Sequence, residues 1–308
     1  MSVHRLLARR KTRPAPTGPV GPTFEFSVMP GGNDTRPWPE PGVTKNESYD
    51  MGVAALGRDM GGRIKFFSAG AISIAVTNRT VDTSHSTEPY PIYCFKTFTT
   101  AQINAFLGTL DHACALTYEH EYYAFTQPEW DAYNAAYASL KALRDAHANG
   151  HYVELQAMSS MSQMRKNPGW FAAADATNFD SWGADTYNAK AGTPYTAQQC
   201  FDDQYAAWQT MKARDNPNLK WRVAEYGLSR LVAGGGALWT GPERVAWIDG
   251  HISYARGLGL SSIGYWAADN SKPDELIKDW SIDKGTAADV YTAAYMAGML
   301  TSYPVIVP

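Results

Sequence analysis

The sequence predicts an α/β fold built on a parallel sheet, with a (β/α)8 TIM barrel as its architecture. Three observations carry this. Eight short β-rich runs recur along the chain. Most are separated by intervals long enough for a helix, the pattern of strands joined by crossover helices. The chain's 308 residues also suit one large barrel, a fold of about 250 residues, better than a small domain. A doubly wound open sheet alternates in the same way, so the pattern favours the barrel only modestly.

The first β-rich run covers 24–29 and is closed by Pro30-Gly31-Gly32. A long Pro-rich loop, 33–48, follows. The second run is 63–67 and the third 91–96. Residues 100–110 predict a helix, with Thr100 as a plausible N-cap. The fourth run, 113–118, leads into Glu119-His120-Glu121. A helix over 128–149 has Pro near its start, Gly150 after its end, and Trp130, Tyr133, Tyr137, Leu140 and Leu143 at helical spacing. The fifth run is 152–157 and the sixth 179–183, ahead of Asp185 and Tyr187. A helix over 196–214 precedes the seventh run, 221–224, which ends at Glu225. A helix over 242–258 precedes the eighth, 261–265, which ends at Trp266, and a helix over 287–300 closes the pattern. No internal repeat or second domain is visible. The expected organisation is a basic, Pro- and Gly-rich tail over 1–22 and a barrel domain over 23–308.

A formal net charge of −3 argues against a nucleic-acid partner, which would call for a basic excess. No run approaches the ~18 apolar residues of a membrane span. The basic start of the chain lacks an apolar segment after it, so it reads as a tail and not as a secretory signal. That predicts a cytoplasmic or particle-associated protein, or one released by another route. Cys94, Cys114 and Cys200 are odd in number and widely spaced, which suggests buried thiols, with Cys94 and Cys114 on neighbouring strands. The seven histidines are scattered, and no metal or organic cofactor is expected. A metal-dependent barrel enzyme would need His and Asp ligands at strand ends, and the sequence shows none grouped there.

In a barrel of this kind the chemistry sits where the strands end. The polar or aromatic residues ending apolar runs are Lys96, Glu119, His120, Glu121, Asp185, Tyr187, Glu225, Trp266 and Asp269. Glu121 follows run four and Glu225 follows run seven, on opposite sides of a narrow mouth. Two facing carboxyl groups suit glycoside hydrolysis, one protonated to help the leaving oxygen depart and one ionised to attack. Retaining enzymes separate the pair by ~5–5.5 Å and inverting enzymes by ~6.5–9.5 Å. Tyr122, Tyr123 and Phe125 surround Glu121 in sequence and would desolvate it, making it the acid. Glu119, two residues away, can point the same way and is its rival. Gly227, two residues after Glu225, allows a sharp turn at the strand exit. Asp185 and Lys96 are candidates to reach sugar hydroxyls or to form a salt bridge at the rim. Trp38 is a candidate to line the cleft, and Asp269 receives no role.

At these residues the chain resembles glycoside hydrolase clan A, and most of all family 26. Thr117-Tyr118-Glu119-His120-Glu121 is similar to that family's strand-four ending, where His-Glu carries the acid/base. Val223-Ala224-Glu225-Tyr226-Gly227 is similar to the strand-seven ending that supplies the nucleophile. Gly183-Ala184-Asp185-Thr186-Tyr187 resembles a strand-six Asp-x-Tyr whose Tyr contacts the nucleophile. Tyr265-Trp266 resembles the strand-eight Trp that forms a sugar platform. The resemblance spans about residues 24 to 300. It implies Glu121 as acid/base, Glu225 as nucleophile, and His120, Tyr187 and Trp266 against the sugar. It implies a retaining hydrolase of a β-linked polysaccharide or cell-wall glycan. There are departures. Thr117 stands where the family often has Arg, Tyr122-Tyr123 follow where Trp-rich motifs are usual, and Arg63 opens the second run where an Arg would be expected to end it. A β-mannan specificity is therefore not implied. Divergent barrels of this kind also occur in actinobacterial and phage structural proteins, so the alternative is a non-catalytic carbohydrate-binding or structural barrel, such as a phage tail component, held in a virion or larger assembly by its N-terminal tail.

Overall fold

The computed structural model describes residues 24–30, 53–58, 62–82, 90–122, 124, 126–166, 173–188, 194–230, 238–267, 282 and 285–306. The expected tail over 1–22, Trp38, Tyr123, Phe125 and Asp269 lie outside the described residues. Eight strands run parallel: β1 (Glu25–Pro30), β2 (Arg63–Phe67), β3 (Tyr90–Phe95), β4 (Cys114–Tyr118), β5 (Val153–Ser160), β6 (Ser181–Asn188), β7 (Lys220–Leu228) and β8 (Ser262–Ala267). Their order is β1-β8-β7-β6-β5-β4-β3-β2, the arrangement of a (β/α)8 TIM barrel. At the seam the Arg63 N–H donates to Ser27 Oγ at 2.7 Å. Gly62 sits directly against Ser27 there, at φ +102°, and a Cβ on it would come 2.6 Å from that of Ser27.

The helices around the barrel are α1 (Ile72–Asp82), α2 (Thr100–Thr109), α3 (Gln127–Ala146), α4 (Met161–Lys166), α5 (Ala197–Arg214), α6 (Gly241–Gly257) and α7 (Ala287–Ser302). Four of them start the same way. The side chains of Thr99, Thr196, Thr240 and Thr286 accept from the backbone three residues on, and Gln102, Gln199, Glu243 and Asp289 reach back to the cap. At α3 the Glu129 carboxylate accepts from Thr126 N at 2.9 Å. The cap of α2 is therefore Thr99, not Thr100 as the sequence suggested, because Thr99 is the residue that pairs with Gln102. Helix α1 escapes the sequence pattern. Its Ile, Val and Thr residues favour strands, and burial of Ile72 and Ala75 overrides that preference. The 128–149 helix ends early, at Ala146, and a 3-10 turn (Ala148–Tyr152) carries the chain into β5.

Contacts between strands that are not neighbours pass through the lumen. A floor of ions crosses it at the N-terminal ends. Arg63 Nε lies 3.1 Å from Glu25 and its Nη2 2.7 Å from Glu154. Arg222 Nη1 lies 2.5 Å from Glu25, and its Nε 2.9 Å from Glu154. Tyr90 and Ser181 donate to Glu154 as well. Burial works against an ionised Glu154, but the Arg222 and Arg63 charges outweigh it and hold the carboxyl well below its ordinary range. Above the floor the lumen is lined by a cluster that includes Ile92, Cys94, Ala115, Met158 and Ala224. The larger apolar layer lies between strands and helices, with Trp182, Trp221, Phe201 and Tyr137 at its centre. Cys94, Cys114 and Cys200 are buried free thiols, the first two on the paired β3 and β4. Among the described residues no helix is long and apolar enough to cross a membrane.

Candidate active site

At the C-terminal ends of the strands, residues from β2, β4, β6 and β7 converge. Lys65 extends from β2 with its side chain 1% exposed. Its Nζ lies 2.5 Å from Glu225 Oε1, 3.1 Å from Asp185 Oδ2 and 2.9 Å from His120 Nε2. His120 Nε2 is also 2.9 Å from Asp185 Oδ2 and 3.0 Å from Glu225 Oε1. Tyr187 OH donates to the other Glu225 oxygen. Asp185 accepts from the backbone N–H of Glu225 at 3.0 Å, so it holds that residue's main chain as well as its side-chain partners.

Glu225 faces inward because β7 carries one extra residue. From Val223 to Tyr226 is three steps, matched on β8 by two, Ile263 to Tyr265. The β6 pairing shifts over the same stretch. Such a bulge interrupts the alternation of faces. Arg222 reaches the floor and Ala224 the lumen cluster, and strict alternation would then turn Glu225 outward. Instead Glu225 joins the lumen, and Tyr226 points out to bond His251 Nδ1 at 2.9 Å. Gly183 on β6 makes room for this. A Cβ there would sit 1.8 Å from the Arg222 carbonyl oxygen.

The strand-four ending is held in an unusual backbone. Glu119 and Glu121 adopt φ of 52° and 55°. Left-handed backbone costs a non-glycine residue roughly 1–2 kcal/mol, and it persists where the surroundings over-determine it. Here the Glu119 N–H donates to Phe95 O at 2.9 Å, and the Tyr122 N–H lies 3.1 Å from Glu119 O and 3.2 Å from Met158 O. The two glutamates then have different surroundings. Glu119 lies 3.8 Å from Lys96, whose side chain is 55% exposed, on the outer rim. The half-buried Glu121 senses His120, Asp185, Glu225 and Lys65.

The charges of the cluster separate two carboxyl groups. Burial pushes Glu121 up, to about 7, with the Asp185 and Glu225 charges adding to burial, while His120 and Lys65 oppose it. Burial also acts to raise Glu225, but the charges of Lys65 and His120 and their hydrogen bonds prevail. They hold it well below the ordinary carboxylate range. For His120, burial and Lys65 favour the neutral ring, but Glu225 and Asp185 outweigh them and lift it to about 9. Burial and the neighbouring Glu225 and Asp185 charges keep Tyr187 a neutral phenol and hence a donor.

The structure therefore brings His120, Asp185, Tyr187 and Glu225 together, with Glu121 in their field. Lys96 is not among them. It pairs with Glu119 at the rim, because β3 ends at Phe95 and its following residue bonds Gly70 O outside the cluster. Trp266 stands beside the cluster, 5% exposed, with its Nε1 unpartnered among the described residues. Sequence reasoning passed over two residues of β2. Lys65 is one. Phe67 is the other, its ring 4.7 Å from His120 and 6.3 Å from Trp266. A signal for Lys65 existed: a lysine inside an apolar run, two residues after Arg63 and thus on its face, is rarely buried unless paired. Nor did the scattered histidines reveal that His120, Asp185 and Glu225 would group as three metal-ligand types within 4.8 Å of one another. The Lys65 ammonium already lies against all three.

No protein-family model matches the chain, and no curated protein matches it. Solved structures do. A broad-specificity family 5 endoglucanase from Ruminococcus flavefaciens superposes with a TM-score of 0.54 at 12% identity, covering 90% of this chain and 96% of that one. A fungal β-1,4-galactanase gives 0.52 at 10% identity, over 80% and 90%. A glycoside hydrolase family 5 enzyme from Prevotella bryantii, solved with a xyloglucan oligosaccharide, gives 0.50 at 10%, over 89% and 96%. At such identities the likeness is one of fold.

Proposed function

We propose that this chain is a retaining glycoside hydrolase acting on β-linked glycan, with Glu225 as nucleophile and Glu121 as acid/base. The observation that carries the reading is Glu225 itself. It is a buried carboxylate at the barrel mouth, held by Lys65, His120 and Tyr187 and fixed through its main chain by Asp185. Half-buried Glu121, in the field of the same charges, supplies the second carboxyl group. The barrel's likeness to endoglucanase and galactanase structures agrees with this choice of chemistry.

In the first step a Glu225 oxygen attacks the anomeric carbon. Glu121 gives its proton to the departing glycosidic oxygen, and a glycosyl ester forms on Glu225. Esterification removes the negative charge that helps keep Glu121 protonated, so Glu121 becomes more acidic. It can then take a proton from the water that attacks the ester. The residue changes from acid to base between the steps as the reaction requires. His120, Tyr187 and Trp266 would face the sugar, and neither step calls for a metal or organic cofactor.

A panel of β-glucans, β-galactans, xyloglucan and bacterial cell-wall glycans tests the reading. Wild type should release reducing ends from at least one, and the first product seen by NMR should keep the β configuration. Glu121→Gln and Glu225→Gln should each lower kcat/KM by at least about 10²-fold, the lower end of what a positioned proton donor contributes. Full activity in either variant, or a wild type that binds glycan without cutting it, would defeat the assignment. The latter outcome favours a carbohydrate-binding or structural barrel.

A further inference from the structure

We propose that Lys65 is a positioning residue whose ammonium serves as an internal cation, gathering Asp185 and Glu225, which in turn hold His120, where a divalent metal ion would otherwise bridge the same three groups. The positioning role rests on reading Glu225 as the nucleophile; the grouping of the three side chains does not.

The argument starts from the strands. Asp185, His120 and Glu225 come from β6, the end of β4 and β7, and nothing local in the sequence brings them together. Asp185 and Glu225 are buried like charges that would repel each other without a cation between them. Lys65 supplies it. Its Nζ lies within 3.1 Å of all three. The three ligand atoms also lie near one another, all within 4.8 Å, with two of the separations short enough for one ion to bridge. His120 Nε2 is 2.9 Å from Asp185 Oδ2 and 3.0 Å from Glu225 Oε1. Metal bonds of about 2.0–2.2 Å meeting near a right angle give about 3 Å between ligands. Imidazole and carboxylate are both groups that divalent first-row metals accept as ligands.

Lys65 enters from inside the barrel. It rises from β2 two residues after Arg63, which belongs to the ion floor, and two before Phe67, which packs on His120. It thus holds the cluster from within, and a sugar would approach from the mouth. Because an ammonium is a compact point charge with three donors, it can serve both carboxylates at once from one point; the planar guanidinium of Arg would present a fork.

Cobalt(II) is the probe, because its visible absorption reports the ligand field directly. The purified chain should take up no cobalt that depends on Asp185. Lys65→Ala removes the cation and leaves space, and should bind one equivalent with a visible d–d spectrum. Adding Asp185→Asn should abolish that binding. Lys65→Met removes the charge but fills the space. It should bind no cobalt, and it should stay folded but melt below wild type, because two buried carboxylates lose their cation. On the glycan that wild type cleaves, its kcat/KM should fall on the order of 10²-fold, as expected of a misplaced reacting group. If Lys65→Ala does not fold, Lys65→Ser takes its place. The proposal is overturned if wild type binds cobalt through Asp185, if a folded small-residue variant binds none, or if Lys65→Met keeps full activity. If neither small-residue variant folds, the activity of Lys65→Met alone decides. A lysine with a merely structural role would leave cobalt uptake the same in every variant. Should wild type cleave no glycan, the enzymatic reading fails, while the cobalt comparison still tests Lys65 as the internal cation.

Discussion

Glu121 and Glu225 are the same residue type in one cluster, and their neighbours drive them apart. Glu225 borders Lys65 and His120 directly. Glu121 is raised to about 7 by burial, with help from the Asp185 and Glu225 charges. The consequence for pH is signed. The proposed acid must be protonated, so kcat/KM should decline as pH rises through about 7. The stabilisation that comes with a raised folded-state value is complete below the unfolded value of 4.5 and lost as pH climbs to about 7. Glu121→Gln cannot ionise. It should therefore melt above wild type at about pH 8 and close to it at about pH 4, and thermal melts at both values check this. Equal melting at both would show that Glu121 is not held neutral. At this scale the sequence was partly legible. His120, Glu121, Asp185, Tyr187 and Glu225 all stand near strand ends, where a barrel does its chemistry. Lys65 was legible only as a lysine in need of a partner; which partners it meets was not, because only barrel closure carries its ammonium to β6 and β7. Lys96 ends a run as the site residues do, yet it turns to Glu119 at the rim.

Elements set which way these side chains face. The sequence reading ended the seventh strand at 224 and placed Glu225 just beyond it. In the structure β7 continues to Leu228 with Glu225 inside it, and the bulge turns that side chain inward. Gly183 permits the close approach of β6 to β7 at this point. Gly183→Ala should destabilise the protein by about 1–3 kcal/mol, the usual cost of overpacking. It should also lower kcat with it, because relief requires moving the strand that carries Glu225. A variant with unchanged melting temperature and activity would show that the bulge tolerates a side chain. Helix starts were more legible, since a Thr followed three residues later by Gln, Glu or Asp is a local pattern. The β-branched α1 was not, because its tertiary packing overrode its propensity.

The whole molecule is a barrel whose lumen holds charge at both ends. At the floor, two Arg and two Glu neutralise one another; at the mouth, Lys65 and His120 face Asp185 and Glu225. The floor joins strands that never pair. Glu154→Gln leaves Arg63 and Arg222 short of a buried partner and should cost about 3–5 kcal/mol, as breaking a buried ion pair does. Chemical denaturation of wild type and variant measures it, and a change under about 1 kcal/mol would mean that water or rearrangement compensates. By itself the sequence determined the alternation of strands and helices, most helix starts, and the carboxylates at the ends of runs four and seven. Those depend on periodicity and capping, which act over a few residues. Tertiary structure alone decided that Lys65 joins the cluster, that Lys96 does not, and that a bulge turns Glu225 inward. Those outcomes depend on register and closure, which bring residues far apart in the chain to face one another across a lumen.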